Sequence, residues 1–443
     1  MARKMKDSGI EWIGEIPETW GIIKLKYIGS LSANGVDKKI RDGEIKYKSV
    51  HYMDVYSNSL REIGNSDDYL IISATNEKAT SCTLEKGDVL FTNSSETPND
   101  MGHSTVIAES LNNTLFGYHL MRLRPTIDIE LGFEKYLFGS HYMRKWFEYC
   151  SNGITRYGIT YKDFAVALVI LPPLEEQKAI ADYLNRKCFL IDSIIEKQKA
   201  VIEKLKLYKQ SIITETVTKG LDPTVKMKPS GIEWIGDIPW DWNIKRLRYI
   251  GNCQNGISKS AEYFGEGYPF VSYGDVYRNI ELPLKVEGLV NSLPNERTVY
   301  SVKGGDIFFT RTSETIEEIG LASTCMQTIE DATFAGFLIR FRPMTAELNK
   351  KFSKYYFRSE IHRRFFVKEM NLVTRASLSQ ELLKKLPVLV PPIEEQVRIA
   401  SYLDDKCNRI DQVLNKKQAA IDKLTNYKKS LIYECVTGKR EVG

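Results

Sequence analysis

From residue 174 to residue 219 the chain runs without proline or glycine, and its apolar positions return at alternating steps of four and three. Leu184, Cys188, Ile191, Ile195, Ile202, Leu205 and Ile212 mark the stripe, with polar Gln198 on one step and Tyr208 near another. This is the spacing of a coiled-coil seam. Leu403, Cys407, Ile410, Leu414, Lys417, Ile421, Leu424, Tyr427 and Leu431 repeat it, each 219 residues later. A double proline precedes each stretch, and proline is tolerated at a helix start because its missing N–H would have no intrahelical partner there. Two equal stripes bury each other most simply as an antiparallel pair, with the polar step Gln198/Lys417 fixing register.

Ahead of each helix the pattern changes to short runs of period two. "GDVLFT", "GDIFFT", "HLMRLRP" and "FLIRFRP" predict strands, and "FAVALVIL" (164 to 171) predicts a buried strand, being far too short to span a bilayer. One helix per copy is expected over "FEKYLFGSHYMRKWFEYC" and "KFSKYYFRSEIHRRFFVKEM". The elements predict an α+β chain in two repeats: a globe at 1–173, a helix at 174–220, a linker at 221–232, a globe at 233–392 and a helix at 393–437.

The repeat is also literal. "SGIEWIGEIPETW" (8 to 20) and "SGIEWIGDIPWDW" (230 to 242) agree at ten of thirteen positions, and "PPLEEQKAIADYLNRKCFLID" matches "PPIEEQVRIASYLDDKCNRID" at 13 of 21. "KGDVLFTNSSETPNDMG" likewise aligns with "GGDIFFTRTSETIEEIG", whereas residues 30 to 80 and 252 to 300 have diverged. A unit this large marks duplication of a domain and excludes a short solenoid repeat. The repeated opening phrase is expected to enter each globe from the opposite end of the helical spacer, bringing the chain termini together, with Trp12 and Trp234 as packing anchors.

At 443 residues the chain exceeds one ordinary core. Sixty-two basic against 57 acidic residues leave a net charge of only +5, so any affinity for nucleic acid must come from local patches. "MARKMKDSGIEW" has no apolar leader core, and seven cysteines without close pairs suit a reducing cytoplasm. Catalytic signatures are missing: neither G-x-x-x-x-G-K nor G-x-G-x-x-G occurs, His51, His103, His119, His141 and His362 are scattered, and no cysteine pair has zinc spacing. Asp88 and Asp306 follow glycine before a strand and suit turns. Glu175, Glu176, Glu394 and Glu395 suit the first turn of a helix through its dipole.

Two features remain for binding. Arg122, Arg124, Arg144, Lys145 and Trp146 in the first copy, and Arg340, Arg342, Arg358, Arg363 and Arg364 in the second, form a basic and aromatic surface suited to polyanions. The loops after the "GD" strands (Asn93, Ser94, Ser95; Arg311, Thr312, Ser313) and those before the last strand of each globe (Thr155, Arg156, Tyr157, Tyr161, Lys162; Thr374, Arg375, Ser377) carry hydroxyls, amides and guanidinium groups suited to phosphates and base edges.

Two globes that open on "SGIEWIG" and end in "LPPLEEQ" or "VPPIEEQ" before a long helix resemble the specificity subunit of type I restriction-modification systems, over nearly the whole chain. The resemblance implies that each globe is a target recognition domain reading half of a split double-stranded DNA site. It further implies that the helices are an antiparallel spacer and that two methyltransferase subunits and the restriction (translocase) subunits dock on the chain. Catalysis, with S-adenosylmethionine, ATP and magnesium, would then belong to partner chains, and this chain would need no cofactor or metal. A self-contained endonuclease or methyltransferase and a protein-only coiled-coil scaffold are the rival readings. About 45 helical residues at about 1.5 Å each span roughly 68 Å, near two turns of duplex, so the spacer is expected to act as a ruler.

Overall fold

The computed structural model describes residues 3–313, 318–369 and 376–442. Its residues form two compact units, Met1–Gln198 with Ala419–Gly443, and Lys199–Gln418. Each unit therefore takes half of each long helix, Leu174–Lys219 and Ile393–Val436.

In the first unit a five-stranded sheet runs in the order Gly29–Ser32, Leu120–Pro125, Val89–Thr92, Ser104–Ile107, Glu62–Ile63. A four-stranded sheet follows the order Leu70–Ala74, Ile45–Val50, Leu111–Phe116, Thr83–Leu84. Val50, Leu90, Ile107, Leu115, Phe116 and Leu120 fill one core. "VLFT" is buried at every position, which is why it reads as a continuous apolar run and not as an alternating one. The second unit repeats the plan with the order Gly251–Asn255, Leu338–Pro343, Ile307–Thr310, Ala322–Thr324, beside a smaller sheet centred on Phe264–Val271.

The repeated phrase is a hairpin. Met5–Asp7 pairs antiparallel with Glu15–Pro17, and Met227–Pro229 pairs with Asp237–Pro239. Its glycines sit in the left-handed region, Gly9 and Gly14 at φ 66° and 71°, Gly231 and Gly236 at 72° each, where a Cβ would be strained. The first hairpin packs on the carboxyl end of the second long helix, whose Tyr433 hydroxyl donates to the Trp12 carbonyl at 3.0 Å. Trp12 lies beside Trp146 and Tyr149, and Trp234 beside Phe365, so both indoles pack against the globes.

Two expected elements break. The single helix expected in each copy is two: Leu131–Phe138 and His141–Cys150, then Lys350–Arg358 and Ile361–Glu369. Ser140 and Ser359 stand extended at the breaks, and each hydroxyl turns back onto a carbonyl of the preceding helix, Leu137 and Tyr356, at 2.6 Å. The run "FAVALVIL" divides as well. A capping box between Thr160 and Asp163 starts a helix, Tyr161–Val166, and only Leu168–Leu171 is strand.

The long helices pair within each unit. In the first, Lys428 holds Asp192 at 2.6 and 2.7 Å; in the second, Lys209 holds Asp411 at the same two distances. The direction is antiparallel: in the second unit Lys209 meets Asp411 while Gly220, farther along, lies against Glu395, farther back. Leu184, Ile191, Ile195, Ile202, Leu403, Ile410 and Ile421 are buried, and Gln198, Leu205, Leu414, Lys417 and Leu424 are half-buried. The stripe is not solely a seam between helices. Cys188 reaches Tyr136 and Cys407 reaches Tyr355, both in the globes, and burial raises both thiols. Tyr208 and Tyr427 fall off the stripe, exposed at 56% and 49%. Register is carried by the Lys–Asp pairs; the Gln198 amide oxygen has no hydrogen-bond partner among the described residues.

Candidate nucleic-acid interface

The basic stripe on the strands turns inward. Arg124 forks onto Asp88 at 2.8 and 2.7 Å, and Arg342 forks onto Asp306 at 2.6 Å from both nitrogens. Both aspartates are almost fully buried and also accept a turn amide, from Glu85 and Lys303. Arg122 is spent on the carbonyls of Ser81 and Thr83, Arg340 on that of Ser301, and Arg358 on those of Val276, Tyr277 and Ala322. The expected polyanion surface at these five arginines is thus an internal bracket, because a buried guanidinium must be satisfied by acceptors. Lys145 faces Glu148 at 3.8 Å, Trp146 donates to the Asp163 carbonyl, and Arg364 is exposed. The Arg363 side chain lies outside the described residues.

The two loop segments behave differently: they meet. In the first unit Ser94 pairs with Gly158 and Ser95 with Tyr157, and Asn152–Gly153 adds a third short strand. The Asn93 carbonyl accepts the Ile159 amide at 3.0 Å, and Arg156 reaches the Ser94 hydroxyl at 3.4 Å. In the second unit Thr312 pairs with Ser377 and Ser313 with Ala376, while the Arg311 carbonyl accepts the Leu378 amide at 2.7 Å. Segments more than sixty residues apart in sequence therefore close into one surface in each unit. Thr155, Arg156, Tyr161 and Lys162 are exposed on it, Tyr157 and Arg311 are half-buried, Ser95 is buried and Ser377 is exposed. Arg311 directs its guanidinium at the Gly336 carbonyl, 3.3 Å away. Thr374 and Arg375 lie outside the described residues.

Sequence reading missed a third component. Tyr52 and Tyr56 stack at 5.4 Å on the helix Tyr52–Tyr56, and Tyr273 and Tyr277 stack at 5.9 Å on Tyr273–Arg278. Tyr56 donates to Asp100 at 2.8 Å and Tyr277 to Glu318 at 2.7 Å. The signal was present as "VHYMDVYSN" and "VSYGDVYRN", six of nine positions identical, offset by 221 inside a stretch that otherwise diverges. Tyr52, Tyr56, Ser94, Glu96, Thr155 and Arg156 help to line a cleft of about 550 Å³. Desolvation works against the Asp100 carboxylate, but hydrogen bonds from His103 and Tyr56 and the charge of Arg144 hold it below the usual range. Burial lowers His103 and His119, the latter also facing Arg156 and Lys38. Such a cleft offers stacking faces, hydroxyls and the exposed Arg156 guanidinium, chemistry that fits nucleobases and phosphates. Among the described residues no group of three or more His, Cys, Asp or Glu could hold a metal, and no helix is long and apolar enough to cross a membrane.

The model of the type I restriction modification DNA specificity domain matches residues 17–204 and again 239–423. The chain belongs to this family. It carries the specificity domain twice, and the long helices fall partly inside each match. A Methanocaldococcus jannaschii protein named as the specificity subunit of the MjaX type I restriction enzyme is 27% identical, over 97% of this chain and 96% of its own. The EcoKI specificity subunit of Escherichia coli K12 is 23% identical over 96% of this chain and 90% of its own. A structure solved in a study of complex assembly and conformational transition of the type I R-M system shares the fold. Its TM-score is 0.72 at 15% identity, covering 96% of this chain and 99% of that one. Members of the specificity family are DNA-recognition subunits without catalytic function of their own.

Proposed function

We propose that this specificity-family chain reads a bipartite, asymmetric DNA site within a type I restriction-modification complex, one half-site per unit. The observation that carries this reading is the pairing of Ser94–Ser95 with Tyr157–Gly158 and of Thr312–Ser313 with Ala376–Ser377 beside a stacked tyrosine pair. The frame is common to both units, while the side chains on it differ, as two unlike half-sites require. The paired long helices set the gap. Methyltransferase and restriction subunits, which bring S-adenosylmethionine, ATP and magnesium, dock on the chain in the cytoplasm. Support for docking comes from apolar side chains left exposed on the helices: Phe189, Leu190 and Ile194 in one unit, Val397 and Val413 in the other. Solvent-exposed apolar surface of this extent favours a covering partner.

Single-molecule sequencing of methylated host DNA tests the reading. A two-part methylated motif is expected, and it disappears when this gene is deleted; a methylome unaltered by the deletion overturns the proposal.

A further inference from the structure

In the first unit one carboxylate in the cleft is left over. Asp100 is saturated: its oxygens accept from Tyr56, His103 and Arg144 at 2.8, 2.8 and 3.2 Å. Glu96, next to Ser95 at the end of the short strand, is exposed and makes no hydrogen bond or ion pair among the described residues. The nearest cationic fork on this surface, Arg156, bonds Ser94 instead. A bare carboxylate on a surface that approaches phosphates is repelled by them, and that cost is offset where the DNA presents a hydrogen-bond donor. Phosphates, guanine O6 and N7, and thymine O4 only accept. In the major groove the donors are the exocyclic amines, cytosine N4 and adenine N6.

We propose that Glu96 reads an exocyclic base amine in the half-site recognised by the first unit. The inference rests on the DNA-reading function above and adds a residue and a base chemistry to it. Glu96 accepts the amine hydrogen, and Arg156 and the tyrosine pair hold the strand against it.

The test is selection of duplexes from a random library by the full-length chain assembled with its modification subunit, followed by sequencing. If the wild-type assembly selects no two-part motif, the reading of function fails, and this inference with it. Given a wild-type motif, Glu96→Ala is expected to relax one position of one half-site, lowering discrimination there about tenfold or more. The other half-site keeps its sequence. Glu96→Gln, nearly isosteric, separates the two amines: glutamine pairs with both adenine N6 and N7, so an adenine position survives, whereas at a cytosine position only the weaker neutral acceptor remains and the preference drifts toward adenine. An unchanged motif in both variants overturns the proposal, including the case where affinity rises evenly on all sequences, as removal of a merely repulsive charge would give. Change confined to the other half-site, or an even loss of binding to all sequences, overturns it equally.

Discussion

The Trp20 indole donates to Glu176 at 3.0 Å, and Trp242 makes the same bond to Glu395 at 2.9 Å. The last residue of the repeated opening phrase is thereby tied to the glutamate pair after the double proline, so the two most alike segments of the chain are the two halves of one joint. Beside it Gln177 and Gln396 are buried, bracing the carbonyls of Pro172 and Pro391 at 2.9 and 2.8 Å. Replacing Glu176 by Ala removes an acceptor from a buried indole and from Arg3, and is expected to cost about 1–3 kcal/mol, read as a lower urea midpoint. Glu176→Gln keeps an acceptor and is expected to lose less.

Arg124 and Arg156 are both cationic and both suit a polyanion on sequence grounds, but their roles separate. Arg124→Ala strands the buried Asp88 carboxylate, with an expected loss of about 3–5 kcal/mol in chemical denaturation. Arg156→Ala leaves stability within about 0.5 kcal/mol. Its effect falls on DNA affinity, reducing by about one the slope of log affinity against log salt if the guanidinium meets a phosphate.

His51 stands buried at the start of the helix Tyr52–Tyr56, its amide donating to the Asp54 carboxylate at 2.7 Å, and burial, aided by Lys38, lowers its pKa to about 4. The folded state therefore holds the ring neutral, while the unfolded chain takes up a proton near pH 6.5. Stability from this group is complete above about pH 6.5 and is lost as pH falls toward 4, by on the order of 3 kcal/mol. At the matching position of the second unit the Ser272 hydroxyl accepts the Asp275 amide at 3.3 Å, a cap the His51 ring does not supply. Where a Cβ on Gly117 would strike the His51 ring, the second unit has Ala335. The pair His51→Ser with Gly117→Ala is expected to add the serine cap and flatten the acid limb of a pH series of urea midpoints.

A second exchange involves a guanidinium. Arg61 lies against Gly139, and its Nη1 is buried without a partner, whereas the second unit places Ile280 and Arg358 at these positions and satisfies Arg358 with three carbonyls. Arg61 stands at φ 57°, where a β-branched residue is strained, so the side chain of Ile280 does not transfer. Arg61→Asn, which tolerates that backbone, with Gly139→Arg is expected to stabilise by about 1 kcal/mol, since an unpaired buried donor is removed. A differential scanning measurement in which the double variant melts below wild type would refute this transfer.

Four residues inserted after Leu205 and after Leu424 fall between Asp192 and Lys209 on one helix and between Asp411 and Lys428 on the other, so both ion pairs can re-form. About 6 Å of added helix against 3.4 Å per base pair is expected to widen the gap between half-sites by one or two pairs. Footprinting with an unchanged gap would sink the ruler.

What could be read from the chain beforehand follows from how local each signal was. The long helices, the repeated opening phrase and the two loop segments announced themselves, because period, punctuation and duplication act over a few residues, whereas the hairpin formed by that phrase did not. Arg122 and Arg124 were misread as surface because their acceptors lie 36 to 41 residues away, at Asp88, Thr83 and Ser81. The pairing of Arg124 with Asp88 and Arg342 with Asp306, both 36 apart, was a recoverable clue in the repeat. The tyrosine helices escaped because each is only five or six residues long and is flanked by the most diverged stretch of the repeat. The helix breaks at Ser140 and Ser359 were hidden because helix-favouring residues resume at once on the far side, so that Gly139-Ser140 and Arg358-Ser359 read as interior positions.

The first unit is assembled from two separate stretches, Met1–Gln198 and Ala419–Gly443, while the second is one uninterrupted stretch between them. On the ribosome the leading 198 residues emerge first yet wait for the final 25 before the Trp12 hairpin meets Tyr433. The second unit needs no such delay and can close as soon as its own last helical turns have been made. The order of completion is thus the reverse of the order of synthesis, and a chain truncated before residue 419 would strand the earlier-made half unfinished while sparing the later one.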